Sequence, residues 1–485
     1  MAAPLNLRAT RADTRRPLRA AAWLAAAALV CLAAMAWALT SRWSGTAASR
    51  PLHIIVSGDT GGWIVPCGCA SNQSGGLMRR GTYVAGARRD ANVLLADAGG
   101  APGGVSLYEQ VKFKAILRGE AAMQVAAHNI GAAEAAIGAQ FLRQAAAECQ
   151  VPLVSSNVRD PSGRLVADPL RIVSVGGRRV AVAGVLSRQF ATDSLQLDDP
   201  RASVLAQLEA ARGQYDLLLV LAYLPQEELE SFAAGMPEAH LVVGGPTGQS
   251  IAPRAVGPTV LAAATNKGKF LAHLTAPASE GAGWKGKIIE LGPELADDAA
   301  QQANLDRFRS ELEQIDFAAD QTGLAPTLPP NLPDDYRIAG TASCRDCHPS
   351  DCELWDESKH AHAWQTLVAQ GASPDPYCQQ CHTTGYGLPG GFVSAGKSAD
   401  RSSVGCESCH GPSQAHVARS RHPTSYVAGD RCVTCHDREN SPQFEFASFW
   451  QQIVHGSEAA PDGAERPAVS HTSSSSRPAH GANRQ

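Results

Sequence analysis

The chain has 485 residues, 44% hydrophobic and 18% charged, so it is long enough for two or three domains of ordinary globular composition. A formal net charge of −4 gives no basic face and excludes nucleic acid as the expected partner. Of 13 cysteines, nine lie between Cys344 and Cys435, a clustering that points to a local covalent or metal framework.

The chain opens on Arg8, Arg11, Arg15, Arg16 and Arg19, followed by an apolar run from Ala20 to Leu39. The run matches the roughly 20 residues a bilayer-crossing helix needs and exceeds a signal-peptide core. Residues 1–19 read as a cytoplasmic flank and 20–39 as an uncleaved transmembrane anchor. By the positive-inside rule the remainder faces the periplasm of a bacterial inner membrane. Cys31, within the run, reads as a small membrane-buried residue.

Residues 51–316 alternate between apolar runs of strand length and helical stretches. The runs are "HIIVSGD", "NVLLADAGG", "VPLVSSNV", "RRVAVAGVLS", "YDLLLVLAYL", "AHLVVGG" and "TVLAAAT". Between them lie "EAAIGAQFLRQAAAECQ" and "RASVLAQLEAARGQ", and the amphipathic "DDAAQQANLDRFRSELEQID" closes the region. This interleaving predicts a layered α/β sandwich. Residues 317–340 contain "TGLAPTLPPNLPDD", a proline-rich stretch that reads as a stiff linker. From 341 to 456 the strand pattern vanishes, predicting a small, mainly helical and irregular domain, and 457–485 is a polar tail expected to be disordered.

The 341–456 region repeats one short motif four times: "CRDCH", "CQQCH", "CESCH" and "CVTCH". CxxCH attaches a c-type haem: two thiols bond covalently to the porphyrin, and the next residue reaches the iron. Zinc would explain paired cysteines but not a histidine after every pair. The expected cofactor is therefore four covalently bound haem c groups. The attachment residues are Cys344 and Cys347, Cys378 and Cys381, Cys406 and Cys409, Cys432 and Cys435. The proximal iron ligands are His348, His382, His410 and His436. A second ligand makes a low-spin haem suited to electron transfer; an empty position permits small-molecule binding.

Candidate distal ligands are His360, His416 and His455, while His362 and His422 read as surface residues. In "WDESKHAHAWQTL", a helix-like stretch, His360 and His362 would point about 200° apart. They cannot serve one iron. His455 ends "FEFASFWQQIVH", an aromatic run able to pack on a porphyrin. Cys352 reads as simply buried.

The pattern of four motifs with "SKHAHA", "CHTTGYG", "VGCESCHGPSQAH" and "FWQQIVH" resembles the tetrahaem cytochrome c-554 family, which carries electrons in hydroxylamine oxidation. The resemblance implies three bis-histidine haems and one that is five-coordinate, and it supports His360, His416 and His455 as distal ligands. It does not assign each histidine to a haem, nor hydroxylamine chemistry to this chain.

The region from 51 to 292 resembles the 5′-nucleotidase and UDP-sugar hydrolase branch of the metallophosphoesterases. The similarity rests on "GGLMRR" from Gly75, "NVLLADAGG", "VPLVSSNV" and "LVVGGPTGQ". That family implies a two-metal site. Asp59 remains from its first D-x-H, but Gly61 stands at the histidine. Gly100 stands at the bridging aspartate, with Asp97 as the other, non-ligating acid. Ala132, Ala133, Tyr223, Pro246 and Gly248 stand at further ligands. One ligand cannot hold two metals, so the domain is expected to be a scaffold without hydrolytic activity.

Cys67 and Cys69 follow the first strand as "PCGC". They read as a redox-responsive pair, as thiolates for a soft metal, or as structural residues, including an ordinary disulfide with Cys149. The expected function is periplasmic electron transfer between unidentified redox proteins, with the α/β part as a docking, sensing or thiol-redox module. The alternative is a multihaem reductase acting on a small nitrogen or sulfur compound; a haem-bearing hydrolase ranks below both.

Overall fold

The computed structural model describes residues 50–66, 73–279, 282–424 and 428–456. The expected anchor at 20–39, Cys31, the Cys67 and Cys69 pair and the tail lie outside the described residues. Among the described residues, no helix is long and apolar enough to cross a membrane.

Fourteen strands are described: β1 (Leu52–Ser57), β2 (Asn92–Asp97), β3 (Ala127–Asn129), β4 (Leu153–Val154), β5 (Val158–Arg159), β6 (Arg171–Val175), β7 (Arg178–Leu186), β8 (Gln196–Leu197), β9 (Leu217–Tyr223), β10 (Leu241–Gly245), β11 (Ile251–Val256), β12 (Thr259–Ala263), β13 (Phe270–Thr275) and β14 (Lys285–Glu290). Two six-stranded sheets form, in the orders β14-β13-β1-β2-β3-β4 and β11-β12-β10-β9-β7-β6. The strands from β1 to β4 run parallel, as do β7, β9, β10 and β12, while β13, β14, β6 and β11 join antiparallel at the edges.

Strand periodicity explains the layering. On β1, Ile54 and Val56 face the second sheet and pack with Val182, Leu219 and Val243. Ile55 points the other way, toward Phe113, Ile116 and Phe308 on helices. The strand β9 is buried along its whole length because both faces are covered. Helices α1 (Leu77–Asp90), α2 (Leu107–Ala122), α3 (Ala132–Ile137), α4 (Ala139–Cys149) and α7 (Ala299–Ile315) belong to the first sheet's outer layer. Helices α5 (Pro200–Ala210) and α6 (Gln226–Ala234) cover the second. The result is the layered α/β sandwich expected.

Two elements differ from their sequence reading. "EAAIGAQFLRQAAAECQ" is not one helix: Gly138, at φ 100°, ends α3 and starts α4. "VPLVSSNV" is not one strand: Ser155 and Ser156 separate the short β4 and β5.

Beyond residue 340 the chain forms α8 (Pro349–Asp356), α9 (Ala363–Ala369), α10 (Pro376–His382), α11 (Cys406–His410), α12 (Gln414–Ala418), α13 (Ala428–Cys432) and α14 (Phe446–Trp450). None exceeds eight residues, whereas isolated helices below about 12 residues are marginal in water. The apolar clusters here are small, one around Tyr386 and Phe392 and one around Trp355 and Val404. The stretch 317–340 is not a free spacer. Phe317 and Ile338 are buried, Ala319 N donates to Val393 O (2.8 Å), and the Thr322 and Tyr386 hydroxyls meet at 3.1 Å.

Candidate functional site

The four CxxCH motifs adopt short helical turns. His348 N donates to Cys344 O and His436 N to Cys432 O, each at 2.9 Å. The second and third motifs lie within α10 and α11. Two cysteines three apart then share a face, and the following histidine closes the turn beneath them.

Histidines from distant positions meet in pairs. Ring centroids of His348 and His416 are 6.4 Å apart, those of His360 and His436 6.0 Å, and those of His410 and His455 6.0 Å. A metal–imidazole bond of about 2 Å on each side of one iron sets two ring centroids about 6 Å apart, so this spacing fits a bis-histidine haem. The ring orientations fit as well. His416 Nδ1 donates to His422 O (2.8 Å), His455 Nδ1 to Ile453 O (2.8 Å) and His382 Nδ1 to Ala363 O (2.8 Å); His436 Nδ1 bonds Ser441 Oγ at 3.0 Å. Anchoring Nδ1 leaves Nε2 for a metal. Burial lowers the pKa of His360, His410 and His436, which favours the neutral, metal-binding imidazole.

His382 differs: among the described residues no imidazole ring stands opposite it. A cavity of about 700 Å³ lies beside it, lined by Cys378, Cys381, Cys432, Cys435, His360 and His436. Phe444, Phe446, Phe449 and Trp450 complete the wall, as the aromatic run in the sequence implies.

The helix-like reading of "WDESKHAHAWQTL" fails. The chain turns from 357 to 362, between α8 and α9, because Ser358 Oγ accepts from Ala361 N and Trp355 Nε1 ties the preceding helix to Val404 O. His360 stacks on Trp355 at 5.4 Å, while His362 and His422 are exposed. Cys352 is buried, and so is Cys149, whose Sγ lies 3.6 Å from Lys114 O.

Glu407, inside the third motif, is a structural anchor the sequence reading missed. Its buried carboxylate accepts from Ala339 N (2.8 Å), Gly340 N (2.6 Å) and Ser413 N (2.8 Å), joining the linker's end to α11. Its only sequence signal was an acid between two attachment cysteines.

Residues 343–411 match the family model described as cytochrome c554 and c-prime. The C-terminal part therefore resembles that family, as its motifs imply. A cytochrome c-554 of Nitrosomonas europaea is 32% identical over 97 residues, covering 17% of this chain and 41% of that protein. Among solved structures, a 5′-nucleotidase precursor from Thermus thermophilus is 21% identical with a TM-score of 0.47, covering 56% of this chain and 60% of that one. A sulfate thiohydrolase (SoxB) from the same organism, in complex with glycerol, is 16% identical with a TM-score of 0.46 over 55% and 61% of the two chains. The chain thus spans less than two thirds of each.

The strand ends of the α/β domain hold the other candidate site. Asp59 Oδ2 accepts from Thr265 Oγ1 (2.5 Å) and Asn266 N (3.2 Å), so it ties the loop after β1 to the loop after β12. Tyr223, at the end of β9, fills the neighbouring space. A Cβ on Gly100 would lie 2.7 Å from the tyrosine ring, and one on Gly131 2.9 Å. The Tyr223 ring thus occupies the space that a side chain at position 100 would enter. Beneath it lies a buried ion cluster of Arg80, Asp97, Glu120, His128 and Glu134. Asp97, Glu120 and His128 have ligand-type atoms within 4.8 Å of one another. Arg80 is 3.6 Å from Asp97, and Glu134 accepts from Gly100 N, Ala101 N and Gly131 N, while Glu120 Oε1 and Arg80 Nε are buried without a hydrogen-bond partner.

Proposed function

We propose that this chain is a membrane-anchored, periplasm-facing tetrahaem c-type cytochrome whose α/β domain has no hydrolytic activity. The observation that carries the reading is the set of three imidazole pairs spaced for one iron each. In it, Cys344 and Cys347 would hold the haem between His348 and His416. Cys406 and Cys409 would hold the one between His410 and His455, and Cys432 and Cys435 the one between His436 and His360. Cys378 and Cys381 would hold the fourth, on His382. Bound haem supplies a one-electron iron couple. The protein's part is to fix one imidazole of each pair through its Nδ1 bond, so that little has to move when the charge changes, and to keep water from the ring faces with the aromatic wall. Redox proteins are the partners this chemistry calls for. Cys67 and Cys69 would form a thiol pair able to respond to the haem oxidation state; thiol labelling before and after haem reduction tests this.

Protein matured with a c-haem assembly system should carry four haems by intact mass. Cys378→Ala with Cys381→Ala should remove one of them. A mass matching unmodified polypeptide overturns the reading.

A second reading is favoured by His382 alone. With no imidazole opposite it among the described residues, its haem would offer an open coordination position for a small nitrogen or sulfur compound. An electron paramagnetic resonance spectrum should then show one high-spin haem, lost with Cys378→Ala and Cys381→Ala. Four low-spin signals would leave electron transfer as the whole function.

A further inference from the structure

We infer that the α/β domain is the outer wall of the second haem-attachment site: Tyr108 positions its attachment helix, and Lys112 supplies positive charge beside it. The inference rests on the tetrahaem reading above.

Helix α10 carries Cys378, Cys381 and His382, and Asp375 caps its start by accepting from Tyr377 N at 3.0 Å. The same Asp375 oxygen accepts from the hydroxyl of Tyr108 at 2.6 Å. Tyr108 belongs to α2 of the α/β domain and is completely buried. Burial and the neighbouring Asp375 hold its phenol well above the usual range, so it remains a donor. A phenylalanine would fill this space equally well; the hydroxyl's function is to hold the cap of a helix in the other domain.

One helical turn along α2, Lys112 Nζ stands 4.9 Å from the Tyr108 ring centroid and 5.3 Å from that of Tyr377. Trp63, on the loop after β1, meets Tyr377 edge to face at 5.3 Å. Lys267, after β12, lies 5.0 Å from the centroid of Trp63 and pairs with Glu439 of the haem domain. Tyr377 itself lines the haem cavity, next to Cys378. Thus two lysines and two aromatic rings from one domain close over the attachment helix of the other. Facing acids are Glu109, 3.7 Å from Lys112, together with Asp375 and Glu439.

The electrostatic sign is definite. A cation near an iron disfavours its more positive, oxidised form and so raises the potential; in a partly desolvated site this attraction and repulsion is weakly screened. Removing the Lys112 charge leaves the acids less opposed and should lower the potential of one haem in four.

The test uses full-length holoprotein with Lys112→Met, Lys112→Arg and Tyr108→Phe. Mass confirms haem content, and a spectroscopic redox titration reads each haem. Lys112→Met should shift one potential downward, that of the haem lost in the Cys378→Ala, Cys381→Ala protein, and Lys112→Arg should restore it. Tyr108→Phe should alter the paramagnetic resonance signal of that same haem and leave the others unchanged. No shift in Lys112→Met, or an equal shift of all haems, overturns the inference while the tetrahaem reading stands. Wild-type mass with no haem on Cys378 and Cys381 overturns both.

Discussion

Single residues set the packing at the strand ends of the α/β domain. Gly100 and Tyr223 are coupled, since the ring occupies the space a side chain at 100 would need. Glu120 and His128, buried beneath them at 2.7 Å, make a prediction about pH. Burial raises the Glu120 carboxyl to about 7, against the pull of His128. Burial alone would lower His128, but Glu120 and Glu134 outweigh it and raise it well above its ordinary value. Both folded values exceed the unfolded ones, so the native state binds more protons and stability falls as pH rises through neutrality. Each proton of difference is worth about 1.4 kcal/mol per pH unit. Glu120→Gln mimics the protonated acid and removes the partner that raises His128. Thermal melts between pH 5 and 9 should therefore slope less in the variant than in wild type. Parallel slopes would mean that the cluster does not titrate with folding.

At the level of elements, the haem domain consists of helical turns that cannot stand alone. What joins them is a few buried polar anchors, Glu407 among them. Three backbone amides point at its carboxylate, and each amide left unsatisfied costs roughly 1–3 kcal/mol. Glu407→Ala should lower stability by about 3 kcal/mol or more and reduce haem content during maturation, whereas Glu407→Gln should cost less. Equal melting of Glu407→Ala and wild type would refute this. The CxxCH turns were legible because their spacing is local. The turn through His360 was not, because Trp355 and Val404, which force it, are 49 residues apart. The break at Gly138 was likewise hidden, since an apolar helical period runs through it on either side.

On the scale of the whole molecule, a layered α/β domain and a cytochrome domain share a continuous contact through Trp63, Tyr108, Lys112 and the 317–340 stretch. The proline-rich composition of that stretch implied separation, but Phe317, Thr322 and Ile338 bury it at both ends. The crevice at the strand ends holds Asp59, already tied to Thr265, and the Tyr223 ring. Purified protein should accordingly fail to hydrolyse nucleotides or sugar nucleotides, even with added manganese. Turnover that disappears in Asp59→Ala would contradict this account.

The sequence by itself determined the haem-attachment motifs and the layered α/β class, because each is written in residue type and short-range spacing. Which histidine faces which, and that His382 faces none among the described residues, was decided by tertiary structure. His348 and His416, or His360 and His436, are brought together by chain turns whose anchors lie far apart in sequence. The contact between domains was equally illegible. Tyr108 reads as one more apolar residue of a buried helix until Asp375, more than 250 positions later, is found accepting its hydrogen bond.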